Sequence, residues 1–242
     1  MLRSLMFLVA LQFVAAQKSP STVWIIGWDD TTSVASHAFS SAYPDAVRTL
    51  VLPLVHPSDT VVLVRLRRTA EDDRWDREPE TIVLDSRPSR FVAQVREFYV
   101  RLTRDERVRG HHTTDIGRAL HHLRTSIDLD RDAHRTPRSY VLVVVSDGKA
   151  EGRQTVPPAQ RPPVADADYR IVFLGVNGGS PIEAALHKLA AREGFDRSDR
   201  ELVVPITHVR EMTSAIPSFV GRKLDETLAR RLDQAAGRSP VR

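Results

Sequence analysis

Short apolar runs alternate along the chain with segments in which hydrophobic residues recur at helical spacing. The apolar runs have the length and β-branched composition of strands, and they span residues 23–27, 60–66, 81–84, 139–145, 171–176 and 202–205. The stretch from Tyr140 to Val145 contains no polar residue. Such a run is typical of a strand that is buried on both faces, in the middle of a parallel sheet.

Between these runs the hydrophobic pattern changes to the period of a helix. Apolar side chains share one helical face at Phe91, Val95, Phe98 and Leu102, and again at Ile116, Leu120, Leu123 and Ile127. A third helix begins at the capping box Ser180-Pro181-Ile182-Glu183 and ends at Gly194. Weaker helical patterns, each interrupted by a proline, cover residues 47–56 and 210–222.

The alternation of strands and helices predicts an α/β fold of three layers with a doubly wound, mostly parallel central sheet. The charged segment 67–80 has no helical period, so we expect a hairpin that returns residues 81–84 antiparallel to 60–66 at one sheet edge. Residues 149–168 are rich in proline and alanine and predict a long loop, which in a compact domain is often functional.

The N-terminal residues predict export. Arg3 precedes a short apolar run that ends in the small residues Ala15 and Ala16, which is typical of a cleaved signal peptide; a retained anchor is the alternative. We expect a signal peptide over residues 1–16, a domain over 17–223 and a helical or flexible tail over 224–242. The mature chain would be periplasmic or secreted, and no later stretch is apolar and long enough to span a membrane.

Composition excludes several kinds of site. The chain has no cysteine, which rules out disulfides and cysteine-ligated zinc. Its formal charge is only +4, and basic and acidic residues are interspersed, whereas nucleic-acid-binding surfaces cluster one sign of charge. We therefore expect no nucleic-acid partner. The adjacent histidines His121 and His122 point in different directions on a helix, so they do not form a zinc chelate.

Oxygen-bearing side chains adjoin three predicted elements. Asp29, Thr31 and Ser33 come directly after the first strand. Thr114 stands at a helix start, and Asp147 follows the most apolar strand. In doubly wound sheets, ligands bind beyond the carboxyl ends of the strands where the strand order reverses, so we expect these side chains to converge. Two carboxylates and three hydroxyls suit a hard cation, Mg²⁺ or Mn²⁺, and do not suit zinc.

These three segments resemble the metal-ion-dependent adhesion site of the von Willebrand factor A domain family. The family pattern is Asp-x-Ser-x-Ser, then a threonine, then an aspartate followed by glycine, and the resemblance extends over residues 21–223. This sequence departs from the pattern at Thr31, which replaces a serine but keeps the hydroxyl. It also departs at His112-Thr113, which replace a frequent glycine pair.

The resemblance implies an adhesion-type, metal-dependent protein-binding module of the bacterial exported kind. Thr31 and Ser33 would bind the metal directly. Asp29 and Asp147 would act mainly through bound water, and Thr114 directly or through water. The remaining coordination position would take a Glu or Asp side chain from a protein partner. Family members can couple this binding to a shift of the last helix of the domain, here about residues 209–222.

Further residues near the predicted site are candidates for partner contacts, namely Trp28, His112, Arg153 and Arg161. The first two adjoin predicted ligands. The two arginines belong to the loop 149–168, which leaves the strand end that carries the last aspartate and is expected to lie beside the metal. Core packing of Trp28, a solvated His112 and a surface loop without function are the alternatives.

Two other functions remain open. The domain could be a scaffold in an envelope assembly, with a metal site that is not used. It could also be a metal-dependent hydrolase, because Asp29-Asp30-Thr31 is similar to a phosphatase nucleophile segment, although Thr31 stands where that pattern has a second aspartate. The sequence has no Gly-x-Ser-x-Gly nucleophile elbow. We therefore expect a binding module and not an enzyme.

Overall fold

The computed structural model describes residues 21–29, 42–69, 78–103, 112–133, 138–149, 154–155, 159–164, 166–176, 181–205 and 215–235. The predicted signal peptide lies outside these ranges, as do the predicted ligands Thr31 and Ser33 and the predicted partner contact Arg153. His112 is described by its backbone alone, so its predicted partner contact also lies outside what is described.

The strands form one large sheet and one small sheet. The large sheet contains β1 (Thr22–Trp28), β2 (Thr60–Arg65), β4 (Glu80–Val83), β6 (Ser139–Val145), β7 (Asp168–Leu174) and β8 (Glu201–Val204). The small sheet pairs β3 (Arg67–Thr69) with β5 (His112–Thr114). The strand order of the large sheet is β4-β2-β1-β6-β7-β8, and every neighbouring pair is parallel except β2 with β4. The strand order therefore reverses between β1 and β6.

Helices cover both faces of the large sheet. In the described ranges they are α1 (Ala42–Ala46), α2 (Pro88–Thr103), α3 (Ile116–Asp132), α4 (Pro181–Arg192), α5 (Ala215–Val220) and α6 (Glu226–Ala235). A π-helical turn, Val47–Val51, and a 3₁₀ turn, Leu52–Leu54, continue α1, and the 3₁₀ turn Ser198–Arg200 precedes β8. None of these helices combines the length and the apolar composition that a membrane crossing requires.

Alternation along β1 divides the core into two layers. Trp24 faces the first layer, with α2 and α6, and Ile25 faces the second, with α3 and α4. Strand β6 contributes residues to both layers, which explains the absence of polar residues from Tyr140 to Val145. This arrangement confirms the predicted fold class, a three-layer doubly wound sheet with one antiparallel edge strand, which is the architecture that the family resemblance implies.

Two features go beyond the sequence-based predictions. Arg67–Thr69, expected within a simple hairpin, forms β3 and pairs with β5, so that Arg67 lies opposite Thr114. Helix α6 lies within the predicted tail, and its Leu228 and Leu232 are buried in the first core layer. The core of the domain therefore continues past residue 223.

A buried ionic cluster lies at the amino-terminal edge of the sheet, around Asp59. Its carboxylate accepts hydrogen bonds from the backbone N–H of Thr22 at 2.9 Å and from Nε1 of Trp24 at 3.0 Å. It also accepts from the backbone N–H of His56 at 2.9 Å and from Nη1 of Arg222 at 2.8 Å. The guanidinium of Arg222 lies 5.6 Å from the centroid of the Trp24 ring. The cluster thus ties the connection between α5 and α6 to the start of β1.

Candidate metal centre

Asp29 lies at the carboxyl-terminal edge of the sheet, where the strand order reverses. It follows β1 directly, and its backbone N–H donates to the carbonyl of Val145 at 3.0 Å, which fixes it beside the end of β6. Its side chain is almost completely buried, because the residue is only 1% exposed. A buried carboxylate is costly unless its oxygens accept hydrogen bonds or coordinate a cation.

Two hydroxyls from distant segments meet this carboxylate. Thr114 Oγ1 donates to Asp29 Oδ1 at 3.3 Å, and Ser146 Oγ donates to Asp29 Oδ2 at 2.6 Å. Both hydroxyl-bearing residues are buried. The fold therefore brings together two of the predicted ligands, Asp29 and Thr114, and adds Ser146, to which the sequence had assigned no role.

The predicted ligand Asp147 follows Ser146 and is partly exposed at the same edge. Its Oδ1 accepts from the backbone N–H of Lys149 at 3.0 Å, and Lys149 Nζ lies 3.9 Å from Oδ2. Gly148 has a φ of 83°, and its N–H donates to Ser146 Oγ at 3.1 Å. A residue with a Cβ adopts this φ only with strain, so the turn that carries Asp147 requires the glycine.

The phenol of Tyr43 lies near both carboxylates. Burial raises its pKa, and the negative charges of Asp147 and Asp29 raise the pKa further. Its ring packs against Gly175, where any added side-chain carbon would overlap the ring. No motif in the sequence links Tyr43 to the site, so only the folded geometry reveals it.

Gln154, from the long loop after β6, covers the start of α3. Its Nε2 donates to the carbonyl of Thr114 at 2.8 Å. Its Oε1 accepts from the backbone N–H groups of Ile116 at 2.9 Å and Gly117 at 3.4 Å. One amide side chain therefore bonds to peptide groups on both sides of Asp115.

Asp115 binds the same loop to α3. Its Oδ1 accepts from the backbone N–H groups of Arg118 at 3.0 Å and Thr155 at 2.9 Å, and Thr155 Oγ1 donates to its Oδ2. Gly117 permits this approach, because a side-chain carbon there would overlap the carbonyl oxygen of Thr155. Gln154 and Thr155 are thus fixed on the segment where β5 meets α3, which carries Thr114.

Two of the predicted partner contacts lie in other environments. Trp28 is only 6% exposed and packs in the first core layer, as its core-packing alternative predicts. Arg161 forms ion pairs with Asp128 at 3.7 Å and with Glu193, after α4, at 3.4 Å. Asp128 is roughly 18 Å along α3 from its first residue, given the rise of a helix. Arg161 therefore lies well away from the carboxyl-terminal edge of the sheet.

The donor chemistry of this edge fits a hard divalent cation, because its side chains offer carboxylate and hydroxyl oxygens. Within the ranges given above, no three His, Cys, Asp or Glu side chains are placed to hold a metal ion together. The predicted ligands Thr31 and Ser33, which the family resemblance adds to this edge, lie outside those ranges.

We expect His122, on α3, to make the stability of the domain depend on pH. Burial lowers its pKa below the ordinary value of 6.5, and the positive charges of Arg118 and His121 lower the pKa further. Below about pH 6.5 the unfolded chain therefore binds a proton more readily than the folded chain, so the free energy of unfolding decreases as the pH is lowered. We expect His122→Gln to flatten this decline in urea unfolding measured between about pH 7 and pH 5.5. Equal slopes for variant and wild type would contradict the prediction.

No protein family model and no curated protein matches the chain. Among solved structures, it is similar to proximal thread matrix protein 1 from the mussel byssus, with a TM-score of 0.49 and 12% identity over 83% of this chain and 48% of that chain. It is also similar to the pilus adhesin SpaC from Lactobacillus rhamnosus GG, with a TM-score of 0.47 and 8% identity over 83% of this chain and 30% of that chain. A third similar structure is the manganese-loaded TRAP protein of Plasmodium vivax, with a TM-score of 0.45 and 11% identity over 84% of this chain and 75% of that chain. The chain thus spans less than half the length of the first two chains, and at these identities the likeness concerns the arrangement of strands and helices alone.

Proposed function

We propose that this protein is an exported module of the von Willebrand factor A type, which binds an acidic side chain of a protein partner through Mg²⁺ or Mn²⁺. The observation that carries the proposal is the meeting of the buried Asp29 carboxylate with the hydroxyls of Thr114 and Ser146. In the sequence, Thr114 lies 85 positions after Asp29, and Ser146 lies 117 positions after it. They meet at the reversal of strand order, where doubly wound sheets bind their ligands.

In this proposal the metal is held mainly by hydroxyl oxygens. Thr31, Ser33 and Thr114 would supply them, while Asp29 and Asp147 would contribute negative charge, mainly through bound water. A dication whose carboxylates act through water remains strongly electrophilic. A carboxylate from a partner protein would then complete its coordination.

Arginines on the β2 side of the site support an anionic partner. Arg67 and Arg68 form β3, beside β5, and Arg118 donates to the carbonyl of Arg65 at 2.8 Å. Arg65, Arg67 and Arg118 are buried, and Asp115 lies 3.6 Å from Arg68. Buried charges are poorly screened, so the positive charge of these arginines would favour the approach of acidic side chains over basic ones.

We propose a binding module and not an enzyme. Both oxygens of Asp29 accept hydrogen bonds from buried hydroxyls, an arrangement that holds a charge in place. An aspartyl nucleophile instead needs a carboxylate oxygen that can reach a substrate, together with groups that activate it. The threonine at position 31, where the phosphatase pattern has its second aspartate, also favours the binding module.

A metal-dependent pull-down tests the proposal. The full chain is immobilised and incubated with envelope proteins of its source cell in Mg²⁺ or in EDTA, in parallel with the variant Asp29→Asn. We expect proteins that the wild-type chain retains in Mg²⁺ and that are lost both in EDTA and with the variant. Methyl esterification of the carboxyl groups in the extract should abolish the same retention, because it removes the acidic ligand.

Asp132→Asn is the matched control, since Asp132 is exposed at the end of α3. This variant should retain the same proteins as the wild type. A set of retained proteins that is indifferent to EDTA and to Asp29→Asn would reject metal-dependent binding and favour the scaffold alternative.

A further inference from the structure

We propose that Gln154 is a positioning residue for Thr114, so that the loop 149–168 sets the affinity of the site for its metal. The inference rests on the proposed function and adds to it a residue outside the predicted ligand set. It follows from the way in which one peptide group, between Thr114 and Asp115, is held from both sides.

The N–H of this peptide group belongs to Asp115 and donates to the carbonyl of Leu66 at 2.8 Å. Its C=O belongs to Thr114 and accepts from Nε2 of Gln154 at 2.8 Å. The end of β2 therefore fixes one side of the peptide plane, and Gln154 fixes the other. Because the plane determines the backbone orientation of Thr114, it also limits where the threonine hydroxyl can point.

The metal site demands an accurate position for this hydroxyl. Thr114 Oγ1 is one bond beyond Cβ, so its position depends on the backbone and a single side-chain torsion. Mg²⁺ accepts oxygen ligands at about 2.0–2.1 Å and in near-octahedral directions, which leaves little tolerance for a rotated peptide. Loss of the Gln154 bond would therefore weaken metal binding even in a chain that stays folded.

Gln154 is itself held in place by its neighbour. Thr155 bonds through both its backbone N–H and its hydroxyl to the carboxylate of Asp115, which is buried. The loop therefore contacts the start of α3 through two consecutive residues, Gln154 and Thr155. A partner that displaced this part of the loop would change the metal site directly.

A simpler role for Gln154 is to cap the free N–H groups at the start of α3. Capping alone would affect the stability of the fold but not the metal affinity of the folded chain. The two roles are separated by measuring Mn²⁺ affinity at a temperature where all variants are folded, and thermal unfolding in EDTA.

The variant is Gln154→Met, which keeps the length of the side chain but removes its hydrogen bonds. The matched control is Gln160→Met, the same change at an exposed position of the same loop. We expect calorimetric titration to give an Mn²⁺ dissociation constant about tenfold higher for Gln154→Met, the typical effect of losing a group that orients a ligand, and no change for Gln160→Met. Amide exchange at Ile116 and Gly117 should also become faster in metal-free Gln154→Met, because Oε1 no longer accepts from them.

Unchanged Mn²⁺ affinity in Gln154→Met, beside a wild type that binds, would overturn this inference and leave the proposed function standing. A wild-type chain that binds no Mn²⁺ would overturn the proposed function itself. Unchanged exchange at Ile116 and Gly117 would overturn the placement of the Gln154 amide against the start of α3, and with it the inference.

Discussion

Replacing Asp29 by asparagine is expected to weaken Mn²⁺ binding about a hundredfold, or about 2.7 kcal/mol, while the fold stays intact. The change removes one negative charge from the metal site but keeps the shape of the side chain. The hydroxyls of Thr114 and Ser146 can accept hydrogen bonds as well as donate them, so the new amide remains satisfied. Calorimetric titration with Mn²⁺ measures the affinity, and thermal unfolding in EDTA confirms that the variant is folded.

The control for this experiment is again Asp132→Asn, which makes the same change of charge far from the site, at the exposed end of α3. It should bind Mn²⁺ like the wild type. If Asp29→Asn bound Mn²⁺ as tightly as the wild-type chain, Asp29 would have no part in metal binding and the proposed function would lose its main support.

Asp59→Ala is expected to lower the free energy of unfolding by about 3–5 kcal/mol, the range for breaking a buried ion pair by removing one partner. Asp59 is only 2% exposed, and its carboxylate accepts from two backbone N–H groups, the Trp24 indole and Arg222. The alanine takes this acceptor from the two backbone N–H groups and from the indole, and it takes the ion-pair partner from Arg222, whose guanidinium keeps only its bonds to the Leu54 carbonyl and the Thr22 hydroxyl. Urea unfolding at neutral pH measures the loss.

A partly exposed aspartate provides the comparison. Asp128 pairs with Arg124 at 2.9 Å, and its side chain is 39% exposed. Solvent weakens such a pair, so Asp128→Ala should cost no more than about 1 kcal/mol. If both variants lost the same free energy of unfolding, the buried Asp59 cluster would contribute no more to stability than a partly exposed ion pair.

The fold was predictable from the sequence where hydrophobic periodicity is strong. Strand β6 faces helices on both sides, so its run of apolar residues could be recognised without any knowledge of its neighbours. Strands β3 and β5 could not be recognised, because each has three residues and neither repeats a pattern. Their pairing depends on how the chain returns to the end of β2, which local sequence does not encode.

The residues of the candidate site were likewise only partly predictable from the sequence. Asp29 and Thr114 were predicted because the first follows a recognisable strand, the second precedes a recognisable helix, and both fit a family motif. Ser146 meets Asp29 because β1 and β6 pair in a register that sets Trp28 beside Val145, and a shift of one residue would separate the two side chains. Gln154 lies in a loop with no periodicity, so only its hydrogen bonds reveal its place beside Thr114.

The ionic cluster at Asp59 also limits how the C-terminal helices can move. Sliding α5 along the sheet would pull the guanidinium of Arg222 from the carboxylate and from the Trp24 ring. It would also strain α6, whose Leu228 and Leu232 are anchored in the core. A ligand-driven slide of the helix predicted over about residues 209–222, which the family resemblance allows, is therefore opposed in this chain. For the proposed binding function we therefore expect a single affinity, without a switch between a weak and a strong form.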